Sequence, residues 1–265
     1  MAASRASPTD AVGIAGDETQ SGRRPDLSGR TAVVTGAARR NGRALALELA
    51  RCGARVAVHC HHSRSEAAEV VEAIRDLGRD SVLIEADLLD PPHVEQAFAD
   101  AAAALGGLDI LVNNVGTIVW KRLEDHTPDD WRACLDGTLF VTLHASQAAL
   151  PSMRAKGFGR IINILDADAD DQNPVPYATA YKIGKRAAWM LTKTLALTEA
   201  PHGITVNAVS PGTLEDSPEK PPLARMPSGR YGRYADVAAA VTFLASDAAG
   251  YVNGTQVKVS GSYLI

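Results

Sequence analysis

The residues from Asn163 to Lys185, NILDADADDQNPVPYATAYKIGK, gather the side chains best suited to proton chemistry. Two tyrosines lie four apart, and of the two only Tyr181 has a lysine four residues on, Lys185. Four residues make about one helical turn, so on a helix Tyr181 and Lys185 share a face. Free tyrosine titrates near pH ~10, poorly matched to neutral pH, and a neighbouring ammonium favours the phenolate and lowers that value. The pair reads as a general acid with its tuner; the alternative is a plain surface pair. Tyr177 has Tyr181 at +4 and suits the wall of a substrate pocket instead. Upstream, Asp166, Asp168, Asp170 and Asp171 fall within six residues. Such a run is ordinarily a solvated loop, the alternative being an acidic rim that attracts a cation.

These residues need a scaffold, and the chain alternates strand-like and helix-like patterns from Leu27 onward. Short apolar runs at 31–35, 55–60, 81–86, 108–113, 159–164, 204–210 and 255–260 read as strands. Helical spacing follows Gly42 and recurs at 65–77, 91–105, 128–154, 176–200 and 234–246. Continuous apolar strands with helical crossovers predict an α/β fold, a doubly wound parallel sheet of about seven strands. Its ligand crevice lies at the strands' C-terminal ends. Residues 27–265 form one Rossmann-like domain, and 1–26, poor in bulky apolar residues, are expected to be a disordered tail.

At the first strand-to-helix turn, VVTGAARRNGRALA fails the GxGxxG pattern, yet Gly36 and Gly42 let backbone approach a pyrophosphate. No acid follows the second strand before Glu66; the segment is HCHHSRSEA. Arg39 and Arg40 in the first loop, with His62, Ser63 and Arg64, offer donors and positive charge to a 2′-phosphate. The expected coenzyme is therefore NADP(H), against the alternative of a solvated basic loop.

Bulk properties narrow the class. With 265 residues, 46% hydrophobic and 22% charged, the chain is long enough for a substantial core. A net charge of -4 and the lack of basic runs argue against nucleic acid, and no apolar stretch approaches a membrane span. Cys52, Cys60 and Cys134 form no CxxC pair, so free thiols in a cytoplasm are expected and a metal site is not.

TGxxxxxG at the first turn, NNVG after the fourth strand, Tyr-x-x-x-Lys, and SPG after the sixth strand occur in order. Together they resemble the classical short-chain dehydrogenase/reductases over about 27–265. The resemblance implies hydride transfer from a nicotinamide coupled to protonation by Tyr181, with Lys185 also gripping the ribose. It implies that Thr35, Gly36 and Gly42 shape the coenzyme loop, that Asp87 faces the adenine, and that Asn113, Asn114 and Gly116 line the coenzyme and brace the sheet. Pro211, Gly212 and Thr213 would lie by the nicotinamide. Purely structural roles for Asn113 and Asn114 remain open.

Three departures stand out. TGAARRNGRALA carries Arg40 where the family's middle glycine falls, and resembles the pteridine reductases, in which that arginine helps hold the coenzyme. Counting along NILD puts Asp166 at the position of the catalytic serine, as in that group. Thr138 stands where the family's relay asparagine falls. An ionised Asp166 would suit a substrate that is cationic or bears N–H donors, and a protonated one would mimic serine. Asp168, Tyr177 and Glu215 are further substrate-side candidates. The expected activity is an NADPH-dependent reduction of a C=N or C=O bond in a small, cyclic, nitrogen-containing molecule. The alternatives are an ordinary keto-reductase of secondary metabolism and a non-catalytic NADP-binding sensor. The long helices at 128–154 and 176–200 resemble those through which the family forms homodimers and homotetramers.

Overall fold

The computed structural model describes residues 24–263. Seven strands form one parallel sheet: β1 Thr31–Val34, β2 Arg55–Cys60, β3 Ser81–Glu85, β4 Ile110–Asn113, β5 Gly159–Ile164, β6 Ile204–Pro211 and β7 Gln256–Val259. Their order is β3-β2-β1-β4-β5-β6-β7. Each strand sends alternate side chains to opposite faces. On β1, Ala32 and Val34 join one core and Val33 the other; on β4, Ile110 and Val112 oppose Leu111. Both faces are covered, which is why these strands are apolar throughout.

The helices are α1 Arg40–Arg51, α2 Arg64–Asp76, α3 Pro91–Leu105, α4 Pro128–Leu135, α5 Val141–Lys156, α6 Thr179–Glu199 and α7 Tyr234–Ala245. Buried faces of α1, α2 and α7 close the first core, and those of α3 and α5 with part of α6 close the second. The helix expected over 128–154 is two helices joined by a π-helical turn at Asp136–Phe140. Thr138 within it and Thr142 and Ser146 beyond it each donate to the carbonyl four residues back, at 2.6–2.7 Å. Such back-bonding bends helices.

The sheet runs outward in both directions from β1 and β4, so the chain parts above that pair and leaves a crevice at the strands' C-terminal ends. The tail expected over 1–26 lies, up to residue 23, outside the described residues. At its end, two surface contacts tie it to the domain: Arg24 Nε meets Glu48 Oε1 at 2.6 Å, and Asp26 Oδ1 accepts from Ser28 N at 2.9 Å. Among the described residues no helix is long and apolar enough to cross a membrane, and no cluster of His, Cys, Asp or Glu could hold a metal ion.

Candidate active site

The first loop is shaped from within. Gly36 sits at φ +61°, a left-handed conformation that favours glycine. Its N–H donates to His59 Nδ1 at 3.1 Å, and His59 Nε2 lies 3.0 Å from Ala86 O. Those partners require a neutral imidazole with its proton on Nε2. Burial pulls the His59 pKa down to about 4. A Cβ on Gly42 would lie 2.2 Å from Gly36 O, so the helix start and the loop touch backbone to backbone. Thr35 Oγ1 accepts from Asn114 N at 2.9 Å and Val115 N at 3.3 Å. Asn114 Nδ2 donates to Thr35 O at 3.1 Å and Gly36 O at 3.3 Å, while its Oδ1 accepts from Asn41 Nδ2 at 2.9 Å. Asn113 points the other way, into a buried chain: its Nδ2 donates to Asn163 Oδ1 at 2.8 Å and Ser146 Oγ at 3.1 Å. Asn163 Nδ2 continues it to Thr192 Oγ1 at 2.8 Å. Asn113 thus braces the sheet and faces no crevice.

The basic residues of this end already have partners. Arg39 pairs with Glu66, and Arg64 with Glu85. Arg40 adopts φ +50° and crosses to the segment after β6, where its Nε meets Asp216 Oδ2 at 2.7 Å and its Nη2 donates to Asp216 O at 2.9 Å. Tyr234 also bonds Asp216. The three arginines expected to be open to phosphate are therefore carboxylate-bound. His62 stacks on His61 at 3.5 Å between centroids, and Ser63 caps the start of α2 without a side-chain hydrogen bond. Asp87 Oδ1 accepts from Leu89 N at 2.9 Å, shaping the turn after β3.

At the other end of the crevice a cleft of about 530 Å³ is lined by Asn114, Gly116, Asp166, Tyr181, Lys182 and Lys185, among others. Lys185 Nζ donates to Ile164 O at 2.7 Å and stands 5.7 Å from the Tyr181 ring centroid. A Cβ on Gly116 would come within 3.2 Å of that Nζ, so the glycine leaves the ammonium its room. Burial lowers the Lys185 pKa to about 8, against the pull of Asp166. Tyr181 departs from expectation. Burial first, then the Asp166 and Asp168 carboxylates, hold its pKa well above the ordinary value. Lys185 spends a hydrogen bond on the backbone and does not offset them. Tyr181 is a protonated phenol at neutral pH.

Asp166 lines the cleft in the register counted from β5. Its Oδ2 accepts from Lys182 Nζ at 2.6 Å, and its Oδ1 from Ala167 N at 3.1 Å. The same ammonium reaches Asp168 at 2.8 and 2.9 Å. Burial depresses the Lys182 pKa, but Asp166 and Asp168 outweigh it and the net shift is upward. The aspartate run divides accordingly. Asp168 turns inward to Lys182, Asp170 pairs with Lys258 at 2.8 Å, and Asp171 Oδ1 accepts from Asn173 N at 2.9 Å.

Thr138 is fully buried and its hydroxyl donates to Cys134 O, so it has no proton to pass to the cleft. It packs against Gly184, whose Cβ would lie 2.0 Å from Thr138 Oγ1. Tyr177 stands outside the cleft, behind Trp120, with ring centroids 6.5 Å apart. Glu215 also stands outside, its carbonyl accepting from Lys220 Nζ at 2.8 Å. Glu219 and Lys220 line the cleft from that segment. Pro211 O accepts from Ala167 N at 3.2 Å, Gly212 N donates to Val259 O at 3.1 Å, and Thr213 joins them in the wall. Asn41, Trp120, Lys182 and Tyr263 also line it and carried no sequence signal beyond their types.

A nicotinamide dinucleotide suits this crevice: the glycine contacts that a Cβ would fill, the buried Lys185 and the start of α1 provide what its ribose and phosphates need. The family model described as Enoyl-(Acyl carrier protein) reductase matches residues 36–263. The 3-oxoacyl-[acyl-carrier-protein] reductase FabG of Staphylococcus aureus is 36% identical over 240 residues, 88% of this chain and 97% of the relative. The D-beta-hydroxybutyrate dehydrogenase of Rhizobium meliloti is 31% identical over 255 residues, 88% of this chain and 98% of the relative. The gluconate 5-dehydrogenase of Burkholderia cenocepacia, solved with NADP and tartrate, superposes with a TM-score of 0.83 at 32% identity, covering 89% of this chain and 95% of that one. The ordered motifs, the sheet order and these matches agree: the chain belongs to the classical short-chain dehydrogenase/reductase family and is an oxidoreductase.

Proposed function

We propose that the protein is an NADP(H)-dependent reductase acting on a C=N or C=O bond of a small, cyclic, nitrogen-bearing substrate. Tyr181 is its acid. When bound, the coenzyme supplies the hydride. The phenol of Tyr181, kept protonated by burial and two carboxylates, donates its proton to the atom that gains electron density. Thr35, Gly36, Gly42, Asn114 and Gly116 hold the coenzyme from the β1 and β4 side, and Lys185 and Pro211, Gly212 and Thr213 from the other. Arg39 and Arg64 meet the 2′-phosphate. NADP in the Burkholderia gluconate 5-dehydrogenase supports the coenzyme.

The observation that carries the substrate reading is Asp166 in the cleft wall beside Tyr181 and Lys182. Lys182 takes one lone pair of Oδ2 and Ala167 N one of Oδ1, so the Asp166 carboxylate keeps further acceptor positions toward the cleft. Those positions favour a substrate with N–H donors or a positive charge, a pterin or cyclic iminium among them, enclosed by Trp120 and Tyr263. The second reading, a keto-reductase, is supported by the names of the oxoacyl reductase and hydroxybutyrate dehydrogenase relatives. NADPH oxidation over ketones, cyclic imines and pterins, with wild type, Asp166→Asn and Asp166→Ser, separates them. The nitrogen reading expects Asp166→Asn to lose tenfold or more on cationic and N–H-bearing substrates and to spare neutral ketones. Equal loss on both classes refutes it.

We place the enzyme in the cytoplasm, with its three buried thiols free. It assembles as a homodimer or homotetramer through α5 and α6. Ile183, Met190 and Leu197 recur every seventh residue along α6 and are exposed, and a packed partner would cover that stripe. Light scattering that finds a monomer at micromolar concentration refutes the assembly.

A further inference from the structure

Two segments beside the cleft are joined to each other, the one after β4 and the one before α6. Ala178 N donates to Lys121 O at 2.9 Å, and Leu123 N to Pro176 O at 3.0 Å. Arg122 and Tyr177 face each other in the antiparallel bridge so formed. Ala178 takes φ +51°, a left-handed conformation that is unfavourable with a Cβ, and α6 starts at the next residue. The turn separates Tyr177, which is exposed, from Tyr181, which is in the cleft wall. The result is a stack. The Trp120 and Tyr177 rings lie 6.5 Å apart at an interplanar angle of 19°, and the Arg122 guanidinium stands 5.6 Å from the Tyr177 ring centroid. Trp120 lines the cleft and Tyr177 does not, so the indole is the inner ring. It is nevertheless 52% exposed, and a ring that is both cleft wall and half in water stands at the mouth. Ile118, which also lines the cleft, and Leu123 are exposed on the same segment.

We infer that Trp120 is the floor of a second subsite, at the mouth of the cleft, which takes an uncharged planar aromatic group carried by the substrate beyond its reacting bond. The inference deepens the reading given above and rests on its nicotinamide coenzyme. The cleft of about 530 Å³ is shared, because Asn114, Gly116, Lys185 and Thr213 in its wall hold the coenzyme under that reading. The reacting ring fills what the nicotinamide leaves beside Tyr181 and Asp166, and a further group has to pass Ile118 and Trp120. There it meets an indole whose angle is already set by Tyr177, the bridge and Arg122. Little side-chain freedom is lost when a ligand covers such a ring, and a flat ring stacked on it gains more than its area alone. The charges of this segment are paired among themselves, Lys121 with Asp130 and Arg122 with Glu124. The surface around the indole therefore offers apolar area rather than charge, in contrast to Asp166 in the interior.

Two probe series test this. One is cyclohexanone bearing a methyl, cyclohexyl or phenyl group on the carbon opposite the carbonyl. The other is a cyclic pyrroline imine bearing a methyl or a phenylethyl group on the imine carbon. The phenyl ring is remote from the reacting bond in both, and using both keeps the outcome independent of C=N or C=O. Affinities are measured by titration calorimetry into the full chain saturated with NADP⁺, where no reduction occurs, and kcat/KM is measured with NADPH. The variants are Trp120→Ala, Trp120→Phe and Tyr177→Ala, each checked for unchanged melting. The phenyl probe is expected to bind about tenfold tighter than its methyl counterpart and about threefold tighter than the cyclohexyl one. Trp120→Ala brings the phenyl-to-methyl ratio below about threefold, Tyr177→Ala lowers it by about threefold, and Trp120→Phe keeps most of it. A merely structural loss would weaken both members of a pair alike and leave the ratio in place. A wild-type ratio below about threefold, a ratio that Trp120→Ala does not change, or a cyclohexyl probe that binds as well as the phenyl one overturns the inference. The expected binding ratios without turnover of any probe overturn the reductase reading alone. A wild type that binds none of the probes overturns both.

Discussion

His59 makes the stability of the coenzyme loop depend on pH, and the dependence can be worked from its contacts. Its Nδ1 accepts from Gly36 N and its Nε2 faces Ala86 O, so a second ring proton would point at an N–H. Burial places its folded pKa near 4, against 6.5 for the free side chain. Between those values the unfolded chain binds the proton that the folded chain refuses. The folded pKa is the lower one, so stability is complete above pH 6.5 and declines as pH falls toward 4. The slope is about 1.4 kcal/mol per pH unit, and the loss from pH 7 to pH 5 is about 2 kcal/mol. The perturbation is His59→Asn, whose Oδ1 can accept from Gly36 N but does not titrate. Urea unfolding of both proteins from pH 4.5 to 7.5 gives the difference directly, and carboxylates common to both cancel. The expected result is a wild-type curve that falls about 2 kcal/mol further than the variant's between pH 7 and pH 5. Parallel curves, or a His59 pKa above 6 by NMR, would refute the neutral tautomer and the role of His59 in holding Gly36.

Three further outcomes follow from the same geometry. Tyr181→Phe removes the acid and should lower turnover by about 10²–10⁴ while NADPH affinity stays within about twofold; turnover within tenfold of wild type removes Tyr181 from the mechanism. Gly42→Ala drives a Cβ to 2.2 Å from Gly36 O and 2.7 Å from Asn114 Nδ2. It should cost about 1–3 kcal/mol in unfolding free energy and weaken NADPH at least tenfold by calorimetry. Lys182→Met strips the shared cation from two largely buried carboxylates and should cost about 3 kcal/mol by urea unfolding, with Lys182→Arg restoring most of it.

The sheet was legible because its strands are buried on both faces, which leaves each a continuous apolar run; β3, β5 and β6 fall within a residue of their expected bounds. The π-helical turn was not legible, since Thr138, Thr142 and Ser146 keep helical spacing and only their back-bonded hydroxyls mark the bend. In the site, local spacing exposed Tyr181 and Lys185, and counting along NILD against the family's serine position singled out Asp166. Lys182 escaped notice because a lysine beside a tyrosine on a helix looks like solvated surface until the 165–168 turn folds back onto it. The same limit applies to Tyr181 itself. Its lysine neighbour is local and visible, whereas the burial and the carboxylates that outweigh it arise only when α6 packs. Arg39, Arg40 and Arg64 announced positive charge, but Glu66, Asp216 and Glu85 came from other segments.

Those pairings explain how one crevice can exchange one ligand and remain fixed toward another. On the coenzyme side the arginine side chains are 60–67% exposed, and each is held by a single carboxylate residue. Water and salt weaken such pairs, so an incoming phosphate can replace the carboxylate at little expense. On the substrate side Lys182 is 13% exposed and held by three carboxylate oxygens. Separating it would strand charge away from water. The Lys182 clamp is therefore the harder of the two to open, and it fixes how Asp166 faces the cleft. Under the proposed function, coenzyme choice would rest on contacts that break easily, and substrate choice on contacts that do not. Substitutions at Glu66 or Arg39 should accordingly change which coenzyme binds while leaving the substrate profile intact, and substitutions at Lys182 should do the reverse.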